Sequence, residues 1–341
     1  MPSINGGTAP QMTPSSDEKI DKKMNDQEPT FAWQGSYELG EVLGSGAWSN
    51  VYAASNSAGM IETPSGVKLK KGSLLAIKSP SSKMALSILK NEARILTYLM
   101  QKSNASDHII EFYGENIETN ALVFAQAEAS LMDIIKTSLS NPSPTLQNTD
   151  PIMTLPVWLS STRQLISALS WLHTHHVVHA DLKPHNILSN PDGTLRIADF
   201  SSSFYLPPSG TYEPRPTDAI TARYASPELL ASYSVSSLSS TLPRHPTFAS
   251  DIWALACVLL VAATGHEPYA FAGHEIRRLA MARDGGVVDS YHGADDWRVV
   301  MRVKRGGLVE KIVAPALIKN LGKRVDCEAW MGVVDEVTAA L

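Results

Sequence analysis

Cysteine is nearly absent from this chain: Cys257 and Cys327 are the only two in 341 residues, and Cys257 sits inside an apolar run. Two thiols so placed make no disulfide framework, which points to a reducing compartment. An excess of positive charge is missing as well. The net charge of −5 argues against a general nucleic-acid binder, whose surface would be basic, and leaves protein and nucleotide partners open. Long apolar runs are also lacking. The strongest, residues 252–263, is about a dozen residues of mostly Leu, Val and Ala. That falls short of the roughly 18 a spanning helix needs, so it reads as a buried core helix. The opening stretch MPSINGGTAPQMTPSSDEKIDKK holds no apolar core of signal-peptide length. The expectation is a soluble cytoplasmic protein with nuclear access open and no membrane partner.

The length suffices for two lobes that together bury about three quarters of the unfolded chain's surface. Residues 1–36, rich in Ser, Pro, Asn, Asp and Lys and without period, read as a disordered tail. The stretch 177–188, Val-Val-His-Ala-Asp-Leu-Lys-Pro-His-Asn-Ile-Leu, carries the chemistry. Apolar pairs anchor its ends while Asp181, Lys183 and Asn186 stand at fixed offsets between them. An aspartate can accept a proton from an attacking hydroxyl, a lysine can neutralise phosphate, and an asparagine carbonyl can bind a hard cation. Phosphoryl transfer needs those parts, because it depends mostly on positioning and charge stabilisation.

Around this stretch the pattern is regular. Apolar alternation on either side of Gly44 and Gly46 predicts two strands joined by a glycine-rich turn, where backbone amides can approach phosphate closely. Alone, that stretch is an ordinary hairpin. Leu75-Ala76-Ile77-Lys78 predicts another strand, and 82–101 a helix with Met84, Ile88, Ile95, Leu96 and Leu99 at helical spacing. Further strands are expected at 109–113 and 121–127, a short helix at 131–137, a surface loop at 138–150 and a longer helix at 157–175. His173, His175 and His176 cluster at the end of that helix and read as surface residues compatible with its dipole rather than as metal ligands. A short strand at 195–197 then leads to Asp199, 18 residues after Asp181.

Taken together, the ordered set Lys78, Glu92, Asp181, Lys183, Asn186 and Asp199 resembles the eukaryotic protein kinases of serine/threonine type, over about residues 37–335. The resemblance implies an α+β bilobal fold: a small antiparallel β lobe with one helix and hinge at 37–127, and a larger, mostly helical lobe at 128–341. It implies transfer of the ATP γ-phosphoryl group to Ser or Thr hydroxyls of protein substrates, with Mg²⁺. Asp181 and Lys183 would be catalytic. Leu43, Gly44, Gly46, Val51, Ala76, Lys78, Glu92, Ala125 and Ala127 would hold ATP, and Asn186 and Asp199 the metal. Glu92 would pair with Lys78, and Phe124 would stand at the back of the nucleotide pocket. Asp251 would accept backbone amides of the catalytic loop, and Glu228 would pair with Arg324.

Departures from the family pattern are specific. Ser49 stands for the third glycine, Ala180 for the arginine before the catalytic aspartate, Ser201 for the glycine of Asp-Phe-Gly, and Ser226 for the alanine of Ala-Pro-Glu. Residues 55–72 look like an insert. Residues 202–220 fit an activation segment. Without an arginine at 180, activity should not require a phosphate on that segment. Ser201 would cost on the order of 1 kcal/mol if a positive φ were required there. His185 lies where arginine-directed kinases carry glutamate, so an upstream arginine preference is not supported. The competing readings are a pseudokinase (an ATP-binding scaffold or regulatory module) and a small-molecule phosphotransferase, which usually lacks the Ser-Pro-Glu segment and Lys183.

Overall fold

The alternation around the two glycines becomes a hairpin in the computed structural model, which describes residues 30–208, 221–232 and 245–341. Strands β1 (Tyr37–Ser45) and β2 (Ser49–Asn56) pair antiparallel, with register shifts between Leu39 and Gly44. The insert forms a hairpin of its own, β3 (Ile61–Glu62) with β4 (Lys68–Leu69), before β5 (Leu74–Pro80). Then come helix α1 (Ala85–Met100) and strands β6 (Phe112–Asn116) and β7 (Ala121–Ala125). The sheet runs β1-β2-β5-β7-β6, antiparallel throughout.

Strand alternation sends successive side chains to opposite faces. Leu75 and Ile77 of β5 therefore enter a small outer core with Tyr113, Val123, Leu69 and Trp33, while Ala76 packs with the main core that contains α1. The tail assignment for residues 30–36 is corrected here. Trp33 is buried and its N–H donates to Glu115 O at 2.9 Å, because β6 is an edge strand with backbone groups to satisfy. Residues 1–29 and 209–220, parts of the expected tail and activation segment, lie outside the described residues.

The larger lobe starts with β8 (Ala129–Ser130) and α2 (Leu131–Ser140), whose first turn is capped reciprocally by Ser130 and Asp133. Helix α3 (Leu155–Thr174) leads to β9 (Val177–Val178), β10 (Ile187–Ser189), β11 (Leu195–Ile197) and β12 (Phe204–Tyr205). Beyond them lie α4 (Pro227–Ser232) and α5 (Phe248–Thr264). Helix α5 is apolar around its circumference and buried nearly throughout, as a helix without a polar face must be. Trp158 of α3 donates its indole N–H to Leu259 O at 2.9 Å, fixing the two helices together. Helices α6 (Glu275–Asp284) and α10 (Cys327–Ala339) follow. Between them α7 (Val287–His292), α8 (Trp297–Arg302) and α9 (Leu308–Val313) were not legible, since six residues are too few to show a helical period. No helix among the described residues is long and apolar enough to cross a membrane.

Candidate active site

The pleat that sends Ile77 outward turns Lys78 inward, where three elements meet on its ammonium. Nζ donates to both carboxylate oxygens of Glu92 in α1, at 2.8 and 2.7 Å, and to Oδ1 of Asp199 after β11, at 2.7 Å. Burial alone would depress the Lys78 pKa, yet the carboxylates of Asp199 and Glu92 raise it above the usual lysine range. Burial pushes the Glu92 carboxyl up against the pull of Lys78. Burial would also raise Asp199, but the charge and hydrogen bond of Lys78 hold it well below the usual carboxylate range. The Phe200 N–H adds a bond to Glu92 Oε1 at 3.1 Å, tying the loop to the helix.

Asp181 is fixed from two sides. Lys183 Nζ donates to Oδ2 and the Thr221 hydroxyl to Oδ1, both at 2.6 Å. The loop itself hangs from Asp251 of α5. Its Oδ2 accepts from His179 N–H at 2.8 Å and its Oδ1 from Ala180 N–H at 2.9 Å, with His173 Nε2 at 3.3 Å. These bonds hold Ala180 at φ 69, a left-handed conformation that costs a non-glycine residue of order 1–3 kcal/mol. Replacing Asp251 by Asn removes one acceptor and sets an amide N–H₂ against a backbone N–H. Asp251→Asn is expected to lower unfolding free energy by about 1.5–3 kcal/mol and to reduce turnover, read by urea melts beside initial rates.

The strain expected at Ser201 is found elsewhere. Ser201 has no positive φ; Asp199 does, at 60°. The turn is made one position before Phe200, whose ring is buried and meets His179 edge-on at 5.1 Å, so a glycine at 201 is not required. Asn186 donates Nδ2 to Asp181 O at 2.8 Å, which orients its amide and leaves Oδ1 accepting no bond from a described residue. The Asp199 side chain is 37% exposed while its neighbour Lys78 is buried. One carboxylate and one amide oxygen are a hard-donor set of the size Mg²⁺ takes when phosphates and water complete its octahedron, so these residues fit that ion.

At the roof, a Cβ on Gly44 would meet nothing within 4 Å, and neither Gly44 nor Gly46 has a positive φ. The turn does not itself require them; what they keep open is space. Leu43 is exposed, and Val51 and Ala76 are half-buried on adjacent strands. At the hinge the expectation for Ala125 is narrowed. Its N–H is spent on Glu111 O at 3.0 Å, whereas neither the N–H nor the carbonyl of Ala127 is engaged by a described residue. Phe124 is buried against Phe112, centroids 5.4 Å apart.

The histidine cluster is not a surface feature. His173 is wedged between Asp251 and Cys327 Sγ at 3.8 Å, and His175 packs on Trp171. No group of three or more His, Cys, Asp or Glu among the described residues is placed to hold a metal. His179, fully buried with Nε2 3.0 Å from Ala198 O, was missed, as was Ser203, whose hydroxyl donates to His179 O. A histidine between apolar residues and the last serine of a run of three give no signal of either role.

The sheet, the helical lobe and the lysine-centred cluster that joins them make a two-lobed architecture holding groups suited to phosphoryl chemistry. Comparison with known proteins makes this specific: the family described as Protein kinase domain matches residues 37–285, more than half of the chain, and the chain belongs to it. It is 31% identical over 271 residues to serine/threonine-protein kinase ISR1 of Saccharomyces cerevisiae, covering 71% of this chain and 55% of that protein. It is 28% identical over 244 residues to mitogen-activated protein kinase kinase kinase 3 of Arabidopsis thaliana, covering 69% and 33%. With 3-phosphoinositide-dependent protein kinase 1 of Mus musculus the identity is 32% over 171 residues, covering 50% and 26%. The chain spans about half or less of the length of these relatives.

Proposed function

We propose that this chain is a catalytically active serine/threonine protein kinase. The observation that carries this reading is the single ammonium of Lys78 held by Glu92 and Asp199 at once, at 2.7–2.8 Å, from three separate elements. A scaffold freed from catalysis has no need to keep a buried lysine, two carboxylates and the Asp181–Lys183–Thr221 array in register.

In this reading Lys78 pairs with the α- and β-phosphates of ATP, and Ala127 meets the adenine edge through its free backbone groups. Leu43, Val51 and Ala76 flank the base, and the open space over Gly44 lets backbone amides approach phosphate. Mg²⁺, held by Asn186 and Asp199, supplies charge neutralisation at the phosphates when bound. Asp181 orients the acceptor hydroxyl and takes its proton as the oxygen bonds to the γ-phosphorus and the bond to the β-phosphate oxygen breaks. Lys183 steadies the charge on the transferring group. The Thr221 hydroxyl on Asp181 supports Ser and Thr as acceptors.

The test is transfer of labelled γ-phosphate from ATP with Mg²⁺ to a generic protein acceptor, followed by phosphoamino-acid analysis. Label on serine and threonine is expected. Nucleotide binding without transfer would instead assign the chain to pseudokinases, the reading favoured by Ala180, Ser49 and Ser201. A methyl at 180 offers no donor to a phosphate, so phosphatase treatment is expected to leave turnover unchanged. A many-fold loss after treatment would contradict that.

A further inference from the structure

Helix α1 carries Glu92, yet its ends are poorly fixed by local means. Met84 at its N-cap makes no side-chain bond, its first turn has no acidic residue and its last turn no basic one. Only long local bonds meet its first amides: Ala85 N–H reaches Ser82 Oγ at 3.3 Å and Ser82 O at 3.1 Å, and Leu86 N–H reaches Lys83 O at 3.4 Å. Glu92 is nonetheless 1% exposed and shares one ammonium with a second carboxylate. Small shifts of the helix would separate that pair, so each restraint on it counts: it packs in the main core, Asn91 Nδ2 donates to Ser203 O at 3.0 Å and the Tyr98 hydroxyl to His175 O at 3.3 Å.

Residues 30–33 supply such a restraint. They lie parallel to edge strand β6, bridging at Ala32 and Glu115. Glu115 N–H donates to Phe31 O at 2.7 Å, and the Thr30 hydroxyl to Glu115 Oε2 at 2.8 Å. Phe31 N–H then donates to Thr97 Oγ1 in α1 at 3.1 Å, five residues beyond Glu92. Trp33 anchors the other end in the outer core, with Tyr113 at 6.4 Å between centroids and the inserted β3–β4 hairpin beside it through Ile61 and Leu69. Gly114 makes the approach possible: a Cβ there would lie 2.8 Å from Phe31 O and 2.9 Å from Trp33 N. One short segment is thus bonded to the sheet edge and to the helix together.

We infer that residues 30–33, acting through the Thr97 hydroxyl, are a positioning element that holds α1 where Glu92 meets Lys78. The effect on turnover rests on the kinase reading; the effect on the helix does not. Thr97→Val in the full chain keeps the side-chain shape and removes the acceptor, and Thr97→Ser restores it. For Thr97→Val, kcat is expected to fall about 5-fold, the size of one hydrogen bond, with the KM for acceptor protein unchanged. Hydrogen exchange across α1 should quicken, and Thr97→Ser should return both to the original values. Trp33→Ala, remote from the helix, should act in the same direction by loosening the anchor.

Unchanged kcat and unchanged α1 exchange in Thr97→Val would overturn the inference. So would Trp33→Ala that frees the Trp33 and Glu115 amides while α1 exchange stays as before. A lowered melting midpoint in Thr97→Val that Thr97→Ser does not rescue would show packing alone, and would overturn it too. If the unaltered chain transfers no phosphoryl group, the kinase reading fails, and α1 exchange in the same variants still decides this inference.

Discussion

Asp181→Asn is expected to lower kcat about 10²–10⁴-fold, the contribution of a positioned general base, while leaving nucleotide affinity and the melting midpoint close to the original. The amide has the volume of the carboxylate and still accepts through one oxygen. It can keep the bond from Lys183 or from Thr221, each at 2.6 Å in the unaltered chain. It cannot take the proton of an attacking hydroxyl. In the proposed mechanism the nucleotide is gripped elsewhere, by the Lys78–Glu92–Asp199 cluster and the hinge, so its affinity reports on a separate set of residues. Single-turnover transfer beside fluorescent-nucleotide binding separates the two. A kcat within ten-fold of the original would remove Asp181 from the role of base and with it the mechanism proposed above.

The second large effect is on stability. Glu228 and Arg324 form a two-pronged pair at 2.8 and 3.0 Å, with side chains 3% and 0% exposed. Arg324 also donates to Ala249 O and Ile318 O and lies 5.1 Å over the Trp253 ring. Its guanidinium thus joins α4, the start of α5 and the segment before α10. Truncating one partner strands the other charge in a dry interior, so Glu228→Ala or Arg324→Ala should each cost about 3–5 kcal/mol in urea unfolding. The double variant Glu228→Leu/Arg324→Met should lose less than the sum of the single losses, because no charge is left uncompensated. Additive losses would show that the two side chains act independently.

The site was legible to the degree that its chemistry is local. Asp181, Lys183 and Asn186 lie within six residues of each other, and residue type with offset conveys their use. Lys78, Glu92 and Asp199 are scattered over 121 residues, and only the resemblance joined them before the geometry did. The condition for strain at Ser201 is not met for a physical reason: a glycine missing at 201 marks where the chain differs from its family, not where φ turns positive, which in the site is at Ala180 and Asp199. His173 reads as exposed because a helix end is usually solvated, while here Asp251 of α5 and Cys327 of α10 close over it. Residues 30–33 read as tail because four residues show no period, and their order comes from a sheet edge 80 residues away.

By itself the sequence determined the two-lobed class, the strand and helix pattern of most elements, and the residue types that carry phosphoryl chemistry. The element pattern and the chemistry follow from side-chain spacing along the backbone and from which groups can accept protons, bind cations or neutralise phosphate, while the two-lobed class rests on the family resemblance those residues carry. Only the tertiary structure decided how Lys78 is shared between two carboxylates, which hinge amide no described residue engages, and which segments bond to the helix bearing Glu92. Those depend on distances between segments remote in sequence, which are set by burial and by the need of every buried polar group for a partner.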